Sequence, residues 1–99
     1  METKIGVVTH YYNHLGVAVI KLDEPLKLGE TVHILGHSTD FTQRVGSMEI
    51  NHRKVQSVGA GAEVALKVVA RVRRGDAVFR VPEGEEIPPP ETEPSGSNF

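Results

Sequence analysis

Five histidines stand among 99 residues, and two pairs of them are four apart, His10 with His14 and His33 with His37. On a helix that spacing puts two imidazoles on one face, the arrangement helical zinc sites use. Here both pairs fall in segments of β-branched residues and turn formers. Four residues along a strand hold two rings about 13 Å apart. No cysteine is present, and no nearby group of acids completes a ligand set, so no metal is expected. Ser38, Ser47 and Ser57 lack the strand–turn–helix setting of an activated serine, and no two carboxylates are spaced as an acid–base pair. The glycine-rich run Gly59-Ala60-Gly61-Ala62-Glu63 ends in an acid and a strand, where a phosphate-cradling loop needs a lysine and a helix. The chain is therefore expected to carry no catalytic residue, no cofactor and no nucleotide, and not to be an enzyme.

The basic residues offer more. Arg44, Arg53, Lys54, Arg71, Arg73 and Arg74 make up six of the eleven Lys and Arg, and all lie between residues 44 and 74. Brought together, their guanidinium forks would suit phosphates, which makes these six the RNA-binding candidates. His52 and Gln43 would add hydrogen bonds. The competing reading is a solvated strand face on which the bases offset Asp40, Glu49 and Asp76. A base-stacking platform is not evident, because the aromatic residues are only Tyr11, Tyr12, Phe41, Phe79 and Phe99.

Short apolar runs punctuated by glycine and turn residues must position these groups. Ile5 to Tyr12 is β-branched and aromatic, hence a strand, and residues 13–16 read as its turn. Val17 to Leu22 returns, with Val17, Val19 and Lys21 on one face and Ala18, Ile20 and Leu22 on the other. Pro25 ends that strand. Leu26 to Gly29 is a connector, Thr31 to Leu35 a third strand, and Thr39 to Asn51 a long fourth strand with a bulge or corner at Gly46. Residues 52–62 read as a loop with one buried hook, Val55 or Val58. Glu63 to Val69 and Ala77 to Val81 complete six strands. The order Gly, acid, strand occurs twice, at Gly29-Glu30-Thr31-Val32 and Gly75-Asp76-Ala77-Val78. No segment holds a helical period over three turns. The fold class expected is all-β, a small six-stranded closed barrel of Greek-key type. Closure is favoured over a flat sandwich because it removes the exposed edges of such short strands.

Ninety-nine residues make one domain, read as a barrel over 1–81 and a tail over 82–99. The barrel holds all eleven bases against eight acids, a net +3. The tail holds five acids and no base, and all but one of the six prolines. That composition cannot bury enough apolar area to offset the entropy of ordering it, so a disordered, polyproline-like tail is expected, regulatory or merely solubilising. Absence of cysteine fits a reducing compartment. No apolar run approaches the roughly 18–20 residues of a membrane helix, and nothing at Met1 reads as a leader, so no membrane and a cytoplasmic location are expected.

Gly29-Glu30-Thr31-Val32-His33-Ile34 resembles the corresponding strand of the second domain of elongation factor Tu. The likeness continues through Val45-Gly46-Ser47-Met48-Glu49-Ile50, the run Ala60 to Leu66, and Arg74-Gly75-Asp76-Ala77-Val78, and covers about residues 4–81. Residues 36–43 with Ser47-Met48-Glu49-Ile50 are also similar to stand-alone elongation-factor-like barrels and to the C-terminal barrel of the collagenase-like peptidase/RNA hydroxylase family. The resemblance implies a translation-protein-like barrel. In translation factors that domain helps hold the acceptor end of aminoacyl-tRNA, which implies RNA as a ligand or a translation or RNA-modification protein as a partner. The expected function is a non-catalytic binding module that binds RNA (tRNA or rRNA) or is translation-associated. The alternative is a protein–protein accessory subunit of an RNA-modifying or peptidase-like enzyme, with no nucleic-acid affinity of its own.

Overall fold

Ten short strands and no helix account for residues 1–82, the residues that the computed structural model describes. They are β1 (Thr3–Tyr12), β2 (Val17–Leu22), β3 (Leu26–Lys27), β4 (Thr31–Leu35) and β5 (Asp40–Arg44), followed by β6 (Met48–Ile50), β7 (Arg53–Val55), β8 (Ser57–Val58), β9 (Glu63–Lys67) and β10 (Ala77–Val81). Eight of them form one antiparallel sheet in the order β5-β4-β10-β1-β2-β9-β6-β7, and β3 pairs with β8. The acidic tail lies outside the described residues from position 83 onward.

Alternation along the strands builds the core. On β2, Ala18, Ile20 and Leu22 are fully buried, whereas Val17, Val19 and Lys21 face outward. Ile5, Val8, Val32, Ile34, Val64, Leu66 and Val78 join them from the neighbouring strands. The core is almost wholly aliphatic, and each such side chain contributes roughly 1.5–3 kcal/mol on burial. Gly6 lies within the β1–β2 pair, where a Cβ would come 2.5 Å from the Lys21 carbonyl oxygen.

The repeated Gly-acid motif is a repeated turn. Gly29 has φ +88° and Gly75 φ +95°, each at the third position of a four-residue turn, the conformation a type II turn requires there. The Glu30 N–H donates to the Lys27 carbonyl oxygen (3.3 Å), and the Asp76 N–H to that of Arg73 (3.0 Å). Each acid also returns the contact. Glu30 Oε1 accepts from the Lys27 N–H at 2.9 Å, and Asp76 Oδ2 from the Arg73 N–H at 2.7 Å. The strands that follow, β4 and β10, pair antiparallel from Thr31↔Val81 to Leu35↔Ala77, with His33 opposite Phe79 at the centre. The two turn–strand units are thus related by a local two-fold axis through that pair.

Six strands were expected, and the differences have local causes. The long fourth strand breaks into β5 and β6, because after Val45, whose N–H still donates to the Glu30 carbonyl oxygen at 2.8 Å, Gly46 and Ser47 cross to β9. The region 52–62 is not a plain loop. Asn51 and His52 both have positive φ (51° and 66°) and form a two-residue turn between the paired Ile50 and Arg53, which adds β7. Val58 is the buried hook and Val55 only half-buried. Val69 lies beyond β9 and is 75% exposed.

The all-β class is observed, but the ladder ends at β5 and β7 and does not close by backbone pairing. The sheet nevertheless coils, since only three residues separate β5 at one of its ends from β6 near the other. A side chain spans the seam. Gln43 Nε2 donates to the Lys67 carbonyl oxygen (3.0 Å), and its Oε1 accepts from the Val69 N–H (2.8 Å). The Lys67 N–H reaches the Ser47 carbonyl oxygen at 3.3 Å.

Candidate functional site

The six candidate bases fall into three groups by element. Arg53 and Lys54 lie on β7, both exposed, with Lys54 opposite Glu49 in the ladder. Arg71, Arg73 and Arg74 are exposed on the β9–β10 connection. Arg73 is anchored there, its N–H on Asp76 and its Nε donating to Ser38 Oγ at 2.9 Å. Arg44 closes β5 opposite Thr31, four residues from Asp40, which follows Thr39 beyond Ser38. Along β5 that places Arg44 about 13 Å from the strand end near which Arg73 is tethered.

Arg44 lines a hollow of ≈ 390 Å³ with Lys27, Gly29, Glu30, Arg80 and Val81. Lys27 and Arg80 are bases that the sequence pattern did not single out. Arg80 lies on β10 opposite Val32, and its guanidinium Nη2 donates to the Pro25 carbonyl oxygen. Its Nε lies 3.3 Å from Glu30 Oε2 yet is buried at an angle that leaves it without a hydrogen bond. Arg44 Nη1 reaches the Gly29 carbonyl oxygen at 3.4 Å. Only the register of β4 against both β5 and β10 brings these residues together, and no linear spacing encodes that.

A second hollow of ≈ 290 Å³ lies on the outer face of β2, β9 and β6, lined by Leu15, Val17, Ser47, Glu49, Ala65 and Lys67. Beside it the surface is apolar. Leu15 at the β1–β2 turn is 61% exposed, Val69 75% and Tyr12 48%. Lys67 Nζ donates to the Leu15 carbonyl oxygen (2.8 Å), and the Val68 N–H donates to that of Gly16 (2.9 Å), so turn and strand end are tied together. The sequence offered a signal here, an apolar Leu15 inside a polar turn and Val69 at the end of an alternating run.

His33 is the most constrained of the histidines. Its Nδ1 lies 2.7 Å from Glu2 Oε1 and its Nε2 2.7 Å from Asp40 Oδ1. Burial, the largest single influence, disfavours the charged ring. The two carboxylates, by hydrogen bond and by charge, together outweigh it and raise the pKa above 6.5. Both ring nitrogens then donate. Among the described residues no group of three or more His, Cys, Asp or Glu could hold a metal ion, and no helix is long and apolar enough to cross a membrane.

No family model matches the chain. Over 83 residues, 83% of its length, it is 38% identical to an uncharacterised protease of Methanocaldococcus jannaschii. The chain spans about a fifth of that curated relative, 20% of its length. Among solved structures, the C-terminal domain of a Geobacillus thermoleovorans protein described as a U32 peptidase superposes with a TM-score of 0.76. It is 17% identical, covering 81% of this chain and 93% of that one. The selenomethionine form of the same domain gives 0.72 at 18% identity, covering 76% and 95%. At such identities the likeness establishes the fold. It agrees with the resemblance to the peptidase-family barrel and gives no support to the likeness to elongation factor Tu, nor to a translation role.

Proposed function

We propose that this chain is a non-catalytic binding module that serves as an accessory to a peptidase-like enzyme. The observation that carries the reading is the 38% identity over 83 residues to a stretch amounting to a fifth of a protein named as a protease. The fold shared with the C-terminal domain of a U32 peptidase points the same way. Of the two functions expected from the sequence, the protein–protein accessory role is thus the better supported, and RNA binding by the six bases is retained as the outcome that would displace it.

The apolar cluster of Leu15, Val17 and Val69 is the face we assign to the enzyme. Leu15 and Val69 are aliphatic side chains left in water, beside a hollow able to receive a partner's side chain. Lys67 and Glu49 at its edge supply one charge of each sign, the polar rim typical of a non-obligate interface.

The test is to purify the protein with a mild tag from its own cells, treat it with nuclease, and identify what remains. The expected result is one stoichiometric peptidase-like chain that survives nuclease. Recovery of tRNA or rRNA, with partners lost on nuclease treatment, would replace this reading with the RNA one.

A further inference from the structure

We infer that the hollow on the outer face of β2, β9 and β6 receives an arginine side chain of the partner enzyme, and that Glu49 is the group that recognises its guanidinium. The inference rests on the accessory reading and names what that face takes in. Cross-strand register builds the hollow. On β9, Ala65 stands between Val19 of β2 and Glu49 of β6. One rung further, Lys67 stands opposite Val17, and its N–H reaches the Ser47 carbonyl oxygen. Ala65 is the smallest side chain of the lining, so it forms a floor among the larger Leu15, Val17 and Lys67. At ≈ 290 Å³ the space lies below the range of drug-sized ligand sites and suits a single long side chain.

The chemistry of the lining selects which side chain. Glu49 is half-buried, and among the described residues its carboxylate has no hydrogen-bond or ion-pair partner. Two lysines adjoin it without pairing with it. Lys54 stands opposite in the β6–β7 ladder, and Lys67 Nζ is held instead by the Leu15 carbonyl oxygen at 2.8 Å. A partner that covered Glu49 with apolar groups alone would bury an unpaired carboxylate, which is costly. The partner therefore brings a donor to it. Arginine meets both demands of the hollow. Its aliphatic stem lies on apolar surface such as Ala65 and Val17, and its planar fork grips a carboxylate bidentately. A guanidinium also sheds water more readily than an ammonium, which favours arginine over lysine in a closed contact. Arginine is moreover one of the residues enriched among the anchors of protein interfaces.

The experiment is a titration of the full-length, isotope-labelled protein followed by amide NMR. The probes are the N-acetyl methylamides of arginine, of its neutral isostere citrulline, of norleucine and of glutamate. The arginine derivative is expected to shift the amides of residues 15–17, 47–49 and 65–67, and the other three to bind at least tenfold more weakly. Glu49→Gln has no native partner to lose, so its Tm is expected to be unchanged. It is expected to weaken binding of the arginine derivative roughly tenfold, the worth of one charge-assisted hydrogen bond. Ala65→Leu, which fills the floor, is expected to abolish binding, and Arg71→Gln on the β9–β10 connection to leave it unchanged. Absence of shifts at these amides would overturn the inference. So would equal binding of the citrulline derivative, full binding by Glu49→Gln, or tighter binding of the glutamate derivative, which would make Lys67 the recognising group. The titration uses no partner chain, so the two readings fail separately. Its failure while the peptidase-like chain is still recovered overturns this inference alone. Recovery of RNA in place of that chain, with the arginine derivative still bound at Glu49, overturns the accessory reading and leaves the site.

Discussion

When protonated, His33 donates from both ring nitrogens to carboxylates that enter from different parts of the chain, Glu2 just before β1 and Asp40 at the start of β5. Its pKa is raised in the folded state, so its contribution to stability is fully present below the unfolded value near 6.5 and is lost as pH rises through the higher folded value. Chemical denaturation across that window should show the protein losing stability with rising pH. His33→Gln should show a shallower slope, with the difference between the two proteins isolating this ring from the other four histidines. Gly36 makes a second residue-level case. A side chain there would overlap the Asp76 carboxylate, which is buried and holds the Arg73 N–H. Gly36→Ala is expected to cost about 1–3 kcal/mol as the carboxylate is displaced, seen as a lowered Tm. Neither contact was legible in the sequence. The four-residue spacing of His33 and His37 leaves the rings about 13 Å apart on a strand, and nothing in it pointed to the acids 31 and 7 residues away that hold His33.

At the scale of elements, local chemistry was legible wherever the cause was local. The two Gly-acid turns, the faces of β2 and the turn at residues 13–16 follow from residue type and period-two alternation. The break between β5 and β6 was missed although the apolar positions change parity there, from Phe41 and Val45 to Met48 and Ile50, and Gly46, expected as a bulge or corner, marks a crossing between ladders. The turn at Asn51-His52 lacks the glycine that usually announces a two-residue hairpin, although Asn and His are both among the non-glycine residues enriched at positive φ. Gln43 bridges the seam that these strands leave open. Gln43→Ala removes its bonds to Lys67 and Val69 and should destabilise the fold by about 1–2 kcal/mol. Hydrogen exchange at the Val69 amide should accelerate more than exchange in β1 or β2. Equal acceleration everywhere would show that the seam is not a local clasp.

For the whole molecule, the sequence carried the all-β class and the resemblance to the peptidase-family barrel, both of which the superposition with a U32 C-terminal domain supports. It carried the sites less well. The six bases were gathered on paper by their closeness in sequence, while the coiled sheet distributes them over β5, β7 and the β9–β10 connection and sets Arg44 beside Lys27 and Arg80. Cross-strand register decides such neighbours, and no spacing along one chain reveals it. Register likewise sets the β1–β2 turn with Leu15 and Val17 alongside the end of β9 that leads to Val69, and these two segments carry the apolar face assigned to the enzyme. Exposed substitutions there should leave stability within about 0.5 kcal/mol and act on association instead. The most direct measurement compares two variants in the same nuclease-treated co-purification, Leu15→Asp with Val69→Asp, and Arg71, Arg73 and Arg74 all changed to Gln. The account predicts that the first loses the peptidase-like chain while the second retains it. Retention by the first and loss by the second would contradict it.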